Sequence, residues 1–195
     1  EKIYKIAEKK KVDILNFSSE SVNAGTTEKK NNRMNRHLRP FYGKLTGSAI
    51  IDFCFIHHEI QWTLWNKIYS SAVCKKAVEE LPDGYFPKGN DLFLYLAICA
   101  CAVTYRGIHT KPYYFYQYGA GSTGNRIIGI SDLKKLVEQK KLSDAVSIFI
   151  SGSSLDSKYL CIANDLDVRF LRESLTNLFE HLPEETIREG YLLIE

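Results

Sequence analysis

The chain has 195 residues, 45% of them hydrophobic and 25% charged, and its 26 lysines and arginines against 23 acids give a formal net charge of +3. These proportions exclude disordered, collagen-like and low-complexity classes, and so small an excess of charge does not point to nucleic acid by itself. The longest apolar run, residues 92–103, is about a dozen long and contains Tyr95, whereas a membrane span needs ~20.

The size suits one full domain, or one with a small appendage. The chain starts at Glu1 directly on a helical pattern, with no basic–apolar–small signal sequence, so a segment of a longer protein is expected. Cys54, Cys74, Cys99, Cys101 and Cys161 make an odd count with no C-x-x-C spacing. Four sit among apolar neighbours. They read as small hydrophobes in a reducing compartment, not as a disulfide framework or zinc site.

In chain order, Ile3, Ile6 and Ala7 form a short helical stripe, and Val12, Ile14, Leu15 and Phe17 a buried strand. Residues 18–47 read as a polar, irregular loop broken by Gly25, Pro40 and Gly43. That stretch holds Lys29, Lys30, Arg33, Arg36 and Arg39 against Glu28, either a solvated loop or a site for a phosphate-bearing substrate. Residues 49–55 are apolar and helical. Residues 62–69 are strand or a short turn of helix, and Ser70 or Ser71 can cap a helix running to about Glu80. Leu81-Pro-Asp-Gly84 is a turn, followed by a loop and an apolar helix from Leu92 to about Ala102. Short strands follow near 103–108 and 113–118. Helical patterns return at 133–137, 145–150 and 168–182, and Pro183 with Glu184 and Glu185 starts another helix. The first ~125 residues are therefore α/β and the remainder mostly helical.

Three motifs are weaker than they look. Gly119-Ala-Gly-Ser-Thr-Gly124 matches the G-x-G-x-x-G dinucleotide fingerprint, but no helix follows to hold a pyrophosphate, and the strand before it is too rich in tyrosine for a central strand. It reads as a Gly-rich loop, with a nucleotide-binding domain as the rival. Asp165 and Asp167 spell D-x-D, yet lie just before the 168–182 helical pattern, where Asp is a favoured cap. His57-His58-Glu59 are adjacent, not spaced i, i+4 as two ligands on one helix face would be.

Trp65-Asn-Lys-Ile-Tyr69, then Gly89-Asn-Asp91 opening an apolar helix, then Lys111-Pro-Tyr-Tyr-Phe-Tyr116 followed by Gly121-Ser-Thr123, occur in that order over about 60 residues. This series resembles the second half of a family 2 glycosyltransferase of GT-A fold, which carries W-N-K-[LI]-Y, an E-D pair before a helix, a P-x-Y-x-Y strand and a Ser-containing loop. The resemblance implies an α/β, partial GT-A-like region over residues 1–125 with a helical C-terminal extension over 126–195. It implies a fragment of an inverting transferase that moves a sugar from a nucleotide-sugar donor to a glycan or glycoconjugate acceptor, as in bacterial surface polysaccharide synthesis, and that is inactive alone. Asp91 matches the family's general base, and Asn90 stands where the pair's other acid would be. Trp65 would stack a sugar ring, Asn66 and Lys67 would donate to hydroxyls or phosphate, and Ser122 would border the acceptor site.

The family's nucleotide-binding half and its metal-holding D-x-D have no counterpart in this sequence. The Mg or Mn ion expected in the full-length enzyme would therefore take its ligands outside this chain. The resemblance also implies a cytoplasmic protein, with room for peripheral association at the inner face of the membrane. The rival of another class is a non-catalytic domain that binds glycan or protein, with Asp91 merely capping its helix.

Overall fold

The computed structural model describes all residues except 1, 24–26, 83, 85, 87–88, 119–128 and 195. It is a mixed α/β structure, and the chain groups into two compact units. The first comprises Glu1–Leu81 and Leu94–Gly124, the second Pro82–Phe93 and Asn125–Glu195. The segment 82–93 thus groups with the C-terminal helices and not with the residues flanking it.

In the first unit, β1 (Ile14–Asn16) lies inside a four-stranded sheet of order β3-β5-β1-β4. β4 (Lys67–Tyr69) runs antiparallel to β1, β5 (Thr104–Gly107) parallel to it, and β3 (Lys44–Thr46) antiparallel to β5. All three residues of β1 are buried, as suits a strand with neighbours on both edges. Asp13, just before β1, ties the strand ends together. Its Oδ2 accepts from the Val103 and Thr104 backbone N–H groups, both at 2.9 Å, and its Oδ1 from the Ser70 hydroxyl at 3.2 Å. Burial works against its charge, but these hydrogen bonds outweigh it and hold the carboxyl below the ordinary value of 3.8. Ser70 also accepts from Val73 N–H, capping α4 (Ser71–Glu80).

The stretch 18–47, expected to be irregular, holds three elements. They are β2 (Ser19–Asn23), α2 (Glu28–His37) and β3. β2 pairs in parallel with β6 (Tyr114–Tyr118) in a separate two-stranded sheet. Helix α2 buries none of its residues, so it shows no apolar periodicity to betray it. Thr27 caps it by accepting from Lys30 N–H, and Asn31 and Asn35, one turn apart, bond Ser21 of β2. The apolar run from Ala49 begins as α3 (Ala49–Ile51) and widens into a π-helical turn over Asp52–Ile56. Gly107 closes β5 where the chain passes against Phe41, and a Cβ there would lie 1.8 Å from the Phe41 carbonyl oxygen.

Helix α5 (Asn90–Cys101) belongs to the second unit through Phe93 and to the first from Leu94. In the second unit, Phe93 meets Phe86 and Phe149 edge-on, at 5.8 and 5.7 Å between ring centroids. The remaining helices are α6 (Ile130–Val137), α7 (Lys140–Gly152), α8 (Leu160–Glu180) and α9 (Ile187–Ile194), with α1 (Lys2–Lys10) at the start of the chain. α7 packs along α8, and Leu133, Leu178 and Leu182 form the core beneath α9. Gly190 lets α9 approach, since a Cβ there would lie 2.7 to 2.8 Å from all three leucines.

Helix α8 starts eight residues before the expected point, at Leu160, which corrects the reading of Asp165 and Asp167 as caps. Both lie inside the helix. Asp167 accepts a short hydrogen bond from the Ser143 hydroxyl of α7 and sits 3.5 Å from the Lys140 ammonium. The cap in this region is Asp156, whose carboxylate accepts from Lys158 N–H at 2.8 Å in the 3₁₀ turn Ser157–Tyr159. Aspartate at the start of a helical run was the right chemistry, but another aspartate supplies it.

Candidate functional site

The sequence-predicted site residues fall in both units and are described within each. In the first unit, Asn66 and Lys67 are 2% and 6% exposed, against the expectation that they offer donors to an acceptor. The Lys67 ammonium donates to the Gln61 carbonyl at 2.7 Å, the Thr63 carbonyl at 2.6 Å and Asn66 Oδ1 at 2.9 Å, and lies 4.7 Å from the centre of the Tyr95 ring. Asn66 Oδ1 also accepts from the Thr63 hydroxyl, and its backbone carbonyl from Asn16 Nδ2. Only the charged amine has three protons for three acceptors. Burial opposes that charge and lowers the pKa from 10.5 to about 7. The same burial raises the neighbouring thiols, Cys54 strongly and Cys99 to about 12. All five cysteines are free.

Trp65 is half-buried and stacked, its ring 4.4 Å from Tyr114 and 5.2 Å from Tyr116, the latter within 4° of parallel. Tyr116 in turn stacks on Tyr118 at 6.3 Å. The flat face expected to receive a sugar is therefore shared with the tyrosine row of β6. Alternation along β6 puts Tyr114, Tyr116 and Tyr118 on one face of the small sheet and Phe115, 58% exposed, on the other. A central strand of a nucleotide-binding fold is covered on both faces, and β6 is not. Gly119, Gly121, Ser122 and Gly124 lie outside the described residues, and with them both the fingerprint loop and the Ser122 expectation.

In the second unit, Asp91 stands in the first turn of α5, exposed to solvent. Gly89, at φ +87°, turns the chain into the helix, and its carbonyl accepts the first intrahelical bond, from Phe93 N–H at 3.1 Å. Asp91 Oδ1 accepts from Leu92 N–H at 2.9 Å, one of the donors a helix start leaves unpaired. Among the described residues this is its one hydrogen bond. Asn90 Nδ2 donates to the Phe86 carbonyl at 2.9 Å, which fixes the entry to the helix, so Asn90 serves the loop that presents Asp91.

The same unit holds an apolar cavity of about 300 Å³ lined by Leu136, Val137, Phe170 and Ile194, with Lys140 and Asp167 beside them. None of the expected site residues lines it. His57 packs edge-on to Phe53 at 5.5 Å, and His58 takes a left-handed backbone at φ +56°. Among the described residues no cluster of three His, Cys, Asp or Glu side chains could hold a metal ion. The Mg or Mn that the resemblance implies finds no ligand set in them. No described helix is long and apolar enough to cross a membrane.

Compared with known proteins, the chain matches no protein-family model and no curated protein.

Proposed function

We propose that the chain is the acceptor-side part of an inverting, GT-A-like glycosyltransferase, with Asp91 as the base that takes the proton from the attacking acceptor hydroxyl. The observation that carries this reading is the state of the Asp91 carboxylate. It stands exposed at a helix start, among the described residues it has no cationic partner, and Leu92 N–H engages one oxygen only. A general base needs a fixed position and a free lone pair, and this arrangement provides both. The ordered series Trp65–Tyr69, Asn90–Asp91 and Lys111–Tyr116 supplies the reaction class, as a resemblance. The donor nucleotide sugar and its metal would be held by the half of the enzyme with no counterpart here.

The test is Asp91→Asn in the full-length enzyme, reading transfer rate and melting temperature together. The amide keeps the shape and the acceptor for Leu92 N–H but takes no proton at neutral pH. Transfer is expected to fall ~10²–10⁴-fold at unchanged melting temperature. Asn is about as good as Asp at a helix start, so unchanged transfer would reduce Asp91 to a structural residue and favour a non-catalytic binding domain.

A further inference from the structure

Leu166, Phe170, Ser174 and Leu178 follow one another at steps of four and form the buried column of α8. Ser174, 3% exposed, is its one polar member. With Phe170 it lines the apolar cavity of the second unit, about 300 Å³, whose other walls include Leu136 and Val137 of α6, Leu171 of α8 and Ile194 of α9. A serine inside a helix can bond a backbone carbonyl three or four residues back. Ser143 of α7 does so, donating to the Lys140 carbonyl at 2.8 Å. The Ser174 hydroxyl has no hydrogen-bond partner among the described residues, although its burial takes it out of water.

Among the described residues that line the cavity, the charged ones are Lys140 and Asp167, 3.5 Å apart. Their side chains are 66% and 43% exposed, which places them at the mouth. Lys140 also lies 3.6 Å from Asp144, and Asp167 accepts from the Ser143 hydroxyl. An anionic head group at the mouth would meet two carboxylates around one ammonium. A cationic one would find Asp167 already engaged by an ammonium and a hydroxyl. The mouth therefore favours a ligand without charge.

We infer that this cavity binds a neutral, mainly apolar small molecule carrying one hydroxyl. That hydroxyl pairs with Ser174, and the hydrocarbon part lies against Phe170, Leu136 and Ile194. The volume is at the small end of ligand pockets, ~300–1,000 Å³, and an apolar lining with few placed polar groups is their usual make-up. The rival occupant is a second copy of the chain, because Val168, Leu171 and Phe179 are exposed along α8. An apolar side chain inserted from such a copy would leave Ser174 unpaired, whereas a hydroxyl-bearing ligand satisfies it. None of the residues proposed for glycosyl transfer lines the cavity, so this inference stands apart from that reading.

The test is a titration of the full chain followed by NMR of its leucine, valine and isoleucine methyl groups. The probes are 1-octanol, octanoate and octylammonium, which present one hydrocarbon chain with three head groups. 1-Octanol is expected to shift the methyls of Leu136, Val137, Leu171 and Ile194 and to bind at least about tenfold more tightly than either charged probe. Ser174→Ala is expected to weaken 1-octanol about three- to tenfold, the equivalent of one neutral hydrogen bond. Without a probe, the same variant is expected to melt at an unchanged or higher temperature, since it removes a buried hydroxyl that has no partner.

No binding of 1-octanol up to saturation, shifts confined to other methyls, tighter binding of a charged probe, or indifference to Ser174→Ala would overturn the inference. A lower melting temperature for Ser174→Ala would also overturn it, by showing that the hydroxyl already serves the fold. Shifts of the same methyls with protein concentration alone would give the face to a second copy and overturn it in that favour.

Discussion

Lys67 shows how one residue can look like a ligand contact and serve as a strut. Its amino group meets three oxygens from the 61–66 segment, so these hydrogen bonds organise the chain leading into β4. Lys67→Met keeps the length and apolar stem but leaves those acceptors without a donor. A loss of about 1–3 kcal/mol in urea unfolding, followed by tryptophan emission, is expected. An unchanged midpoint would mean that water replaces the ammonium at no cost.

Asp13 plays a similar part between β1, β5 and the cap of α4, and its titration gives a pH signature. Its folded pKa lies below the ordinary 3.8, so the unfolded chain binds its proton more readily. Its contribution to stability is therefore complete above about pH 5 and lost as pH falls through the folded value. The stability difference between the native chain and Asp13→Asn should shrink as pH falls through that window. A difference that stays constant down to pH ~2 would show that the carboxylate charge plays no part.

At the scale of the element, α2 is the unusual piece. A helix of about ten residues is marginal alone in water, and this one buries nothing, so its few polar contacts must hold it. Asn31→Ala with Asn35→Ala removes both bonds to Ser21 and is expected to free the helix while the four-stranded sheet stays intact. Trypsin should then cut at Lys29, Lys30, Arg33 or Arg36 many times faster than in the native chain, with tryptophan emission unchanged before cutting. Equal cutting rates would mean that the helix is held by something other than these two side chains.

The expected loop became a helix because its fixing chemistry is a cap and two amides, which leave no apolar stripe in the sequence. α4 and α5, by contrast, were legible, from Ser70 as a cap and from an unbroken apolar run. Asp165 and Asp167 resemble caps because the clearer helical pattern begins at Val168, whereas α8 is already turning at Leu160 with Ile162 and Ala163 buried.

At the scale of the whole molecule, the described glycines divide by what surrounds them. Gly190→Ala gains about 1 kcal/mol of helix propensity but drives a methyl into three buried leucines, and overpacking of that kind costs ~1–3 kcal/mol. A net loss of about 1 kcal/mol is expected in thermal unfolding followed by circular dichroism. Gly152→Ala, with nothing within 4 Å of the new methyl, is the control and should be neutral or slightly stabilising. Equal effects at the two sites would show that the leucine core yields freely.

By itself, the sequence determined the mixed α/β character, the buried strand at Ile14, the capped and apolar helices, and the order of the tryptophan, aspartate and tyrosine motifs. These follow from short-range rules: periodicity, caps and turns. Tertiary structure alone decided that Asn66 and Lys67 point inward, that Asp13 joins strand ends 91 positions apart, and that α2 is tied to Ser21 of β2. The physical reason is that a polar side chain can be buried, or a polar helix held, only where distant backbone supplies the matching hydrogen-bonding groups, and local sequence does not specify where that backbone will be.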